Sequence, residues 1–154
     1  MNRYRVIVVG FGFLLIIVGA VRSNQESKTP VPKTPPEVLK SFSGDYSIGD
    51  GMGYNLSLDL HRDGTFHCEW HGCLGKYGDA DGRWGVKNNT LIFQPDNESG
   101  IFQGRDHLKK ADIVDYKGHH VFVLDHYRDW YKQHGPSHFC CLHTQAAMES
   151  GLPW

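Results

Sequence analysis

From Phe42 onward the chain alternates apolar and polar residues with a period of two, the spacing of strands that bury one face. Tyr54, Leu56, Leu58 and Leu60 share one face, while Asn55, Ser57, Asp59 and His61 share the other. Arg62-Asp63-Gly64 predicts a hairpin turn, after which Phe66, Cys68 and Trp70 resume the inward face and Thr65, His67, Glu69 and His71 the outward one. Asp81-Gly82 stands before Trp84 and Val86, and Asn88-Asn89 turns the chain into Leu91-Ile92-Phe93. Lys117-Gly118 joins Ile113, Val114 and Tyr116 to the run Val121 to Leu124. Short strands with turn signals about every ten residues predict a mainly β fold, an antiparallel meander forming a small closed or half-open barrel. One short helix is expected from Asp125 to His134, ended by Gly135-Pro136 and followed by a last strand from His138 to His143.

The pattern changes at the N-terminal side. Val6 to Val21 contains no polar side chain and follows Arg3 and Arg5. As a helix it would span about 24 Å, somewhat short of the roughly 30 Å hydrocarbon core of a bilayer. Residues 1–21 are therefore expected to be a hydrophobic helix, either a signal peptide cleaved after Ala20 or a signal anchor held in the membrane by residues 6–21. If retained, the basic residues before the run place the N-terminus in the cytoplasm. Both outcomes put the rest of the chain outside the cytoplasm, membrane-anchored or secreted. Residues 22–41 hold Pro30, Pro32, Pro35 and Pro36 with few large apolar residues, and are expected to be an extended linker ahead of a domain at 42–154.

Gly44-Asp45-Tyr46, the run Leu58 to Phe66 (LDLHRDGTF) and Gly82-Arg83-Trp84 together resemble the small lipocalin-like β domains of exported, largely uncharacterised bacterial proteins. The resemblance implies a β barrel that binds a partner or a small ligand.

Charge narrows the partners. Sixteen Lys and Arg against seventeen Asp and Glu give a net charge of -1, so no overall positive field favours nucleic acid. Ten histidines make any charged surface responsive near neutral pH.

The cysteines are the most distinctive polar residues. Outside the cytoplasm an even number predicts disulfides. Adjacent Cys140 and Cys141 would be strained as a mutual pair, so cross-links to Cys68 and Cys73 are expected, in a pairing that strand parity leaves open; the bend at Gly72 and Gly75 favours Cys73 with Cys141, and Cys68 with Cys140 is a second. The competing reading is metal. His67, Cys68, His71 and Cys73 in HCEWHGC, with His138, Cys140, Cys141 and His143 in HFCCLH, are ligand types that suit Zn or Cu. The first four converge only if Gly72 breaks its strand.

For a bound ligand, Trp70, Lys76, Tyr77, Tyr127, Trp130 and Tyr131 are the candidates, with residues 72–79 (GCLGKYGD) read as a glycine-rich binding loop and Trp84 as core. Asp63, Glu69, Asp79 and Asp81 with the histidines offer acid and base groups for a hydrolase. Nucleophile elbows, phosphate loops and dinucleotide fingerprints are missing, and no cofactor is expected. Asn55, Asn88 and Asn97 begin sequons that matter only in a glycosylating host. The chain thus reads as a non-catalytic extracytoplasmic binding domain, with a metal-binding domain and then a hydrolase as alternatives.

Overall fold

Each alternating stretch forms a strand in the computed structural model, which describes residues 30–49, 53, 55–104 and 108–153. The hydrophobic segment at 1–21, the first part of the linker and Tyr54 lie outside the described residues. Among the described residues no helix is long and apolar enough to cross a membrane.

The strands are β1 (Gly44–Gly49), β2 (Asn55–Leu60), β3 (Thr65–Gly72), β4 (Gly75–Lys87), β5 (Thr90–Glu98), β6 (Lys110–Tyr116), β7 (His119–Leu124) and β8 (Cys141–Leu142). Each pairs with the next in one antiparallel sheet of order β1 to β8. The sheet curls until its ends meet at a single bridge. There Ser47 N–H donates to His143 O at 2.9 Å and His143 N–H to Ser47 O at 3.0 Å. The result is a nearly closed meander barrel, as the alternation predicts.

Its interior is filled. Leu56, Leu58 and Leu60 face Phe66, Cys68 and Trp70 across β2 and β3, all buried. Phe66 packs edge-on to Phe93 with ring centroids 5.3 Å apart, Trp70 edge-on to Phe102 at 6.1 Å, and Tyr46 tilts against Phe122 at 4.4 Å. Trp84 is 1 % exposed, and its indole N–H donates to His61 O at 3.1 Å, so the polar edge of this core residue is satisfied. Side chains of this size, each worth about 1.5–3 kcal/mol on burial, supply the main stabilisation.

Asp81-Gly82 lies inside β4 and is not a turn. The pairing with β5 shifts register there, and a Cβ on Gly82 would come within 2.2 Å of Gln94 O, so the bulge requires glycine.

A second apolar layer lies outside the barrel. Val121 and Val123, alternating with inward Phe122 and Leu124, cluster with Cys140, Cys141 and Ala147. Two helices pack on this face of β7: α2 (Arg128–His134), preceded by a 3-10 turn at Asp125–Tyr127, and α3 (Gln145–Glu149).

Three expectations are corrected. The linker is not free along its whole length: Val86 N–H donates to Thr34 Oγ1 at 2.9 Å, and a helix, α1 (Pro36–Phe42), packs Leu39 and Phe42 against the core. Leu39 and Phe42, spaced three apart, fall on one side of the helix and dock it. The fold therefore holds three α-helices among the described residues where one was expected, with Thr144 capping α3 by accepting from Ala147 N–H at 3.2 Å. The last strand is only Cys141–Leu142, because Ser137 O accepts from the N–H groups of Cys140 and Cys141 and curls the preceding residues into a turn.

Candidate functional site

Residues 72–79 are not a loop. β3 runs through Gly72 and β4 starts at Gly75, leaving Cys73-Leu74 as the hairpin tip. Beyond the tip the ladder sets His67 opposite Asp81 and Glu69 opposite Asp79 on the outer face. Near the tip the register slips, so His71 faces Lys76 and Tyr77 is left over. Without that extra residue Lys76 would fall on the inward parity. With it, Lys76 joins the outer row.

The slip resolves a repulsion. Like charges directly across a ladder destabilise it, and Glu69 faces Asp79. Lys76 Nζ sits between them, 3.0 Å from Glu69 Oε1 and 2.6 Å from Asp79 Oδ2. His71 Nε2 reaches Glu69 Oε2 at 3.0 Å, and His67 is held by Asp81 through Nδ1 at 2.6 Å and by Glu69 through Nε2 at 3.3 Å. Ser99, the residue just after β5, donates its hydroxyl to Asp79.

Protonation follows these contacts. Hydrogen bonds from His71, Lys76 and His67 hold the Glu69 carboxyl down at about 2. Asp79 is lowered by Lys76 and Ser99. His67 is raised by its hydrogen bond to Asp81 and by Glu69, which favours the imidazolium with both N–H groups donating.

The row continues beyond the hairpin. Asp45 pairs with Asp59, Asp59 with His67, and His67 with Asp81, so one line across β1 to β4 carries three carboxylates around a histidine. Including Glu69 and Asp79, the face sets five carboxylates against Lys76 and two histidines. Arg83, paired with Asp96 at 3.8 Å, marks its border.

The array can hold protons but does not assemble a nucleophile. Ser99 donates its hydroxyl to the Asp79 carboxylate, whose lowered pKa makes it a weak base, and not to His67. Cys68, on the same strand, points into the core, where burial raises its thiol and leaves it inert.

The expected disulfides do not form. Cys68 faces the barrel interior, whereas Cys140 and Cys141 belong to the outer layer, so the sheet wall separates them. Cys73 is exposed at the hairpin tip, and Cys141 is buried beside Val121 and Val123. The metal expectation also fails to assemble: among the described residues no group of three or more His, Cys, Asp or Glu side chains could hold an ion. β3 stays extended, so Cys68 faces away from His67 and His71, and the Lys76 ammonium fills the space between the carboxylates. His138 and His143 meet edge to face at 4.5 Å and are both buried, with His143 Nδ1 donating to Cys141 O at 2.8 Å.

The ligand candidates are likewise dispersed. Trp70 is core, Lys76 and Tyr77 lie on β4, Tyr127 and Tyr131 pack on the outer layer, and Trp130 stacks on His134 at 4.3 Å. An open hollow of about 510 Å³ at the α1 end is lined by Ser43, Gly44, Leu60, His61, Arg62 and Asp63, none of them among those candidates. Ser99 was not anticipated, because its role depends on where β5 ends against β4. Counting outward from a turn at Cys73-Leu74 gives His71 opposite Lys76 but would set His67 against Ala80 and Glu69 against Gly78, so the extra residue Tyr77 hides the His67–Asp81 and Glu69–Asp79 pairs from the sequence.

Comparison with known protein families, with curated proteins and with solved structures finds no match for this chain.

Proposed function

We propose that this chain is a non-catalytic binding domain of lipocalin-like type, working outside the cytoplasm, that engages a protein partner through its outer surface. In this reading residues 6–21 anchor it to a membrane or export it before cleavage. The filled interior carries the reading. Among the described residues the lumen is occupied by Trp84, Phe66, Phe122 and Leu58, which favours recognition on the outside. The face across β1 to β4 is the best equipped part of that outside, because Glu69, Asp79 and Asp81 are held in place by His67, His71, Lys76 and Ser99. The excess of carboxylates over cations suits a partner presenting Lys or Arg side chains, by charge complementarity.

A photo-reactive residue introduced at Ser57, which is exposed on this face, tests the reading in the cells that make the protein. A discrete adduct is expected, absent with the same residue at Lys117 and lost when Glu69→Gln and Asp81→Asn are combined. Adducts indifferent to position and to those substitutions would overturn it. So would uptake of an apolar fluorophore that accepts energy from Trp84, because that requires an open lumen.

A further inference from the structure

Cys140 and Cys141 lie outside the charged face and take no part in it. In an extended strand neighbouring side chains point to opposite faces, which would keep these two sulfurs apart. Here the turn at Ser137, whose carbonyl accepts from Cys140 N–H at 3.3 Å and Cys141 N–H at 3.1 Å, folds them toward each other. The two Sγ atoms are 3.1 Å apart.

Their surroundings make them unequal. Either thiol can donate across that contact, Ser137 adds a hydroxyl donor to Cys140 at 3.7 Å, and Cys140 Sγ faces the carbonyls of Gly135 and Ser137 at 3.6 and 3.8 Å; hydrogen bonding lowers the Cys140 thiol. The contact with Cys140 and burial raise the Cys141 thiol. One nucleophilic sulfur with a second poised beside it is what thiol–disulfide exchange requires.

We propose that Cys140 and Cys141 form a reversible redox pair, closing to a vicinal disulfide by exchange with a low-molecular-weight disulfide. The Cys140 thiolate attacks one sulfur of RS–SR, forming a mixed disulfide and expelling RS⁻. Cys141 then loses its proton to solvent, attacks the Cys140 sulfur and expels the second RS⁻. Two protein thiols and one RS–SR become one protein disulfide and two RSH, with two electrons passing to the reagent. Both thiols are buried, so the reagent reaches Cys140 only when the turn opens, and the reaction is slower than at exposed Cys73.

Adjacent Cα atoms are about 3.8 Å apart, closer than the roughly 4.4–6.8 Å of ordinary bridges, so this one is strained and easily reduced. Labile bridges of that kind are the regulatory ones. The strain falls on the seam of the barrel. Cys141 pairs with Val123, and His143, two positions on, makes the bridge to Ser47. Oxidation therefore loosens the closure of β8 on β1.

The test equilibrates the full chain in glutathione buffers of graded oxidised-to-reduced ratio, then quenches in acid, denatures, alkylates and digests with trypsin. Cleavage after Lys132 yields a peptide carrying Cys140 and Cys141 and no other cysteine. In oxidising buffer this peptide is expected to lose two hydrogens and take no alkylating reagent, and to recover both thiols in reducing buffer. Cys141→Ser is expected to stop at a stable glutathione adduct on Cys140. Should that variant not fold, the mass of the unsubstituted peptide still decides. Thiols that stay alkylatable in the most oxidising buffer, lasting glutathione adducts on the unsubstituted chain, or a cross-link to Cys68 or Cys73 would each overturn the proposal. Faster amide exchange at Ser47 and His143 after oxidation supports the link to the seam, and unchanged exchange overturns that link.

Discussion

Leu58 and Ser57 are neighbours with opposite duties. Leu58 is fully buried between Tyr46 and Cys68, its partners in β1 and β3, while Ser57 is exposed. Leu58→Ala is expected to cost about 2–5 kcal/mol through the cavity it leaves, and Ser57→Ala less than about 0.5 kcal/mol, as read from urea denaturation midpoints. Equal losses would contradict the inward and outward faces assigned here. That parity was legible in the sequence, since Leu56, Leu58 and Leu60 alternate with Ser57 and Asp59 without interruption. The Glu69–Lys76–Asp79 contact was not. It depends on one extra residue, Tyr77, which shifts Lys76 outward, and nothing in GCLGKYGD marks where an extra residue enters a ladder.

Among the elements, hairpins with strong turns were the most readable. Asn88 and Asn89 both have positive φ, 52° and 59°, as does Lys117 at 52° ahead of Gly118 at 82°, the conformations those dipeptides favour in two-residue turns. The helix at the Gly135 end was also readable, because Gly135 stops it at φ 78°. Elements whose order comes from distant contacts were hidden. β8 is cut short by the Ser137 turn, and α1 draws its stability from the core that Leu39 and Phe42 touch. Limited proteolysis should therefore leave a protected fragment that retains α1. Leu39→Asp should shift the protected boundary toward Phe42 and lower Tm. Cleavage between Thr34 and Phe42 in the unsubstituted chain would contradict the docking of α1.

At the scale of the whole molecule, stability should peak near the pKa of free histidine. Burial lowers the pKa values of His138 and His143, so the unfolded chain takes up those protons first and stability falls as pH drops below about 6.5. His67 acts in the opposite sense: its pKa is raised when folded, so its contribution is complete below about 6.5 and is lost as pH rises through its folded value. Thermal unfolding from pH 5 to 8 should show both limbs. His67→Gln should flatten the alkaline limb and leave the acid one, and a Tm that rises steadily toward acid would contradict the buried neutral histidines.

The meander order has a consequence for how the chain reaches this state. Among the described residues every strand pairing joins sequence neighbours, save the bridge of Ser47 with His143. Hairpins form with little loss of chain entropy, whereas that contact closes a loop across nearly the whole described chain. The barrel should therefore zip hairpin by hairpin into an open, curled ribbon before it seals. Until then the free edges of β1 and β8 are open to strands from other chains, and the two hydrogen bonds of the seam end that exposure.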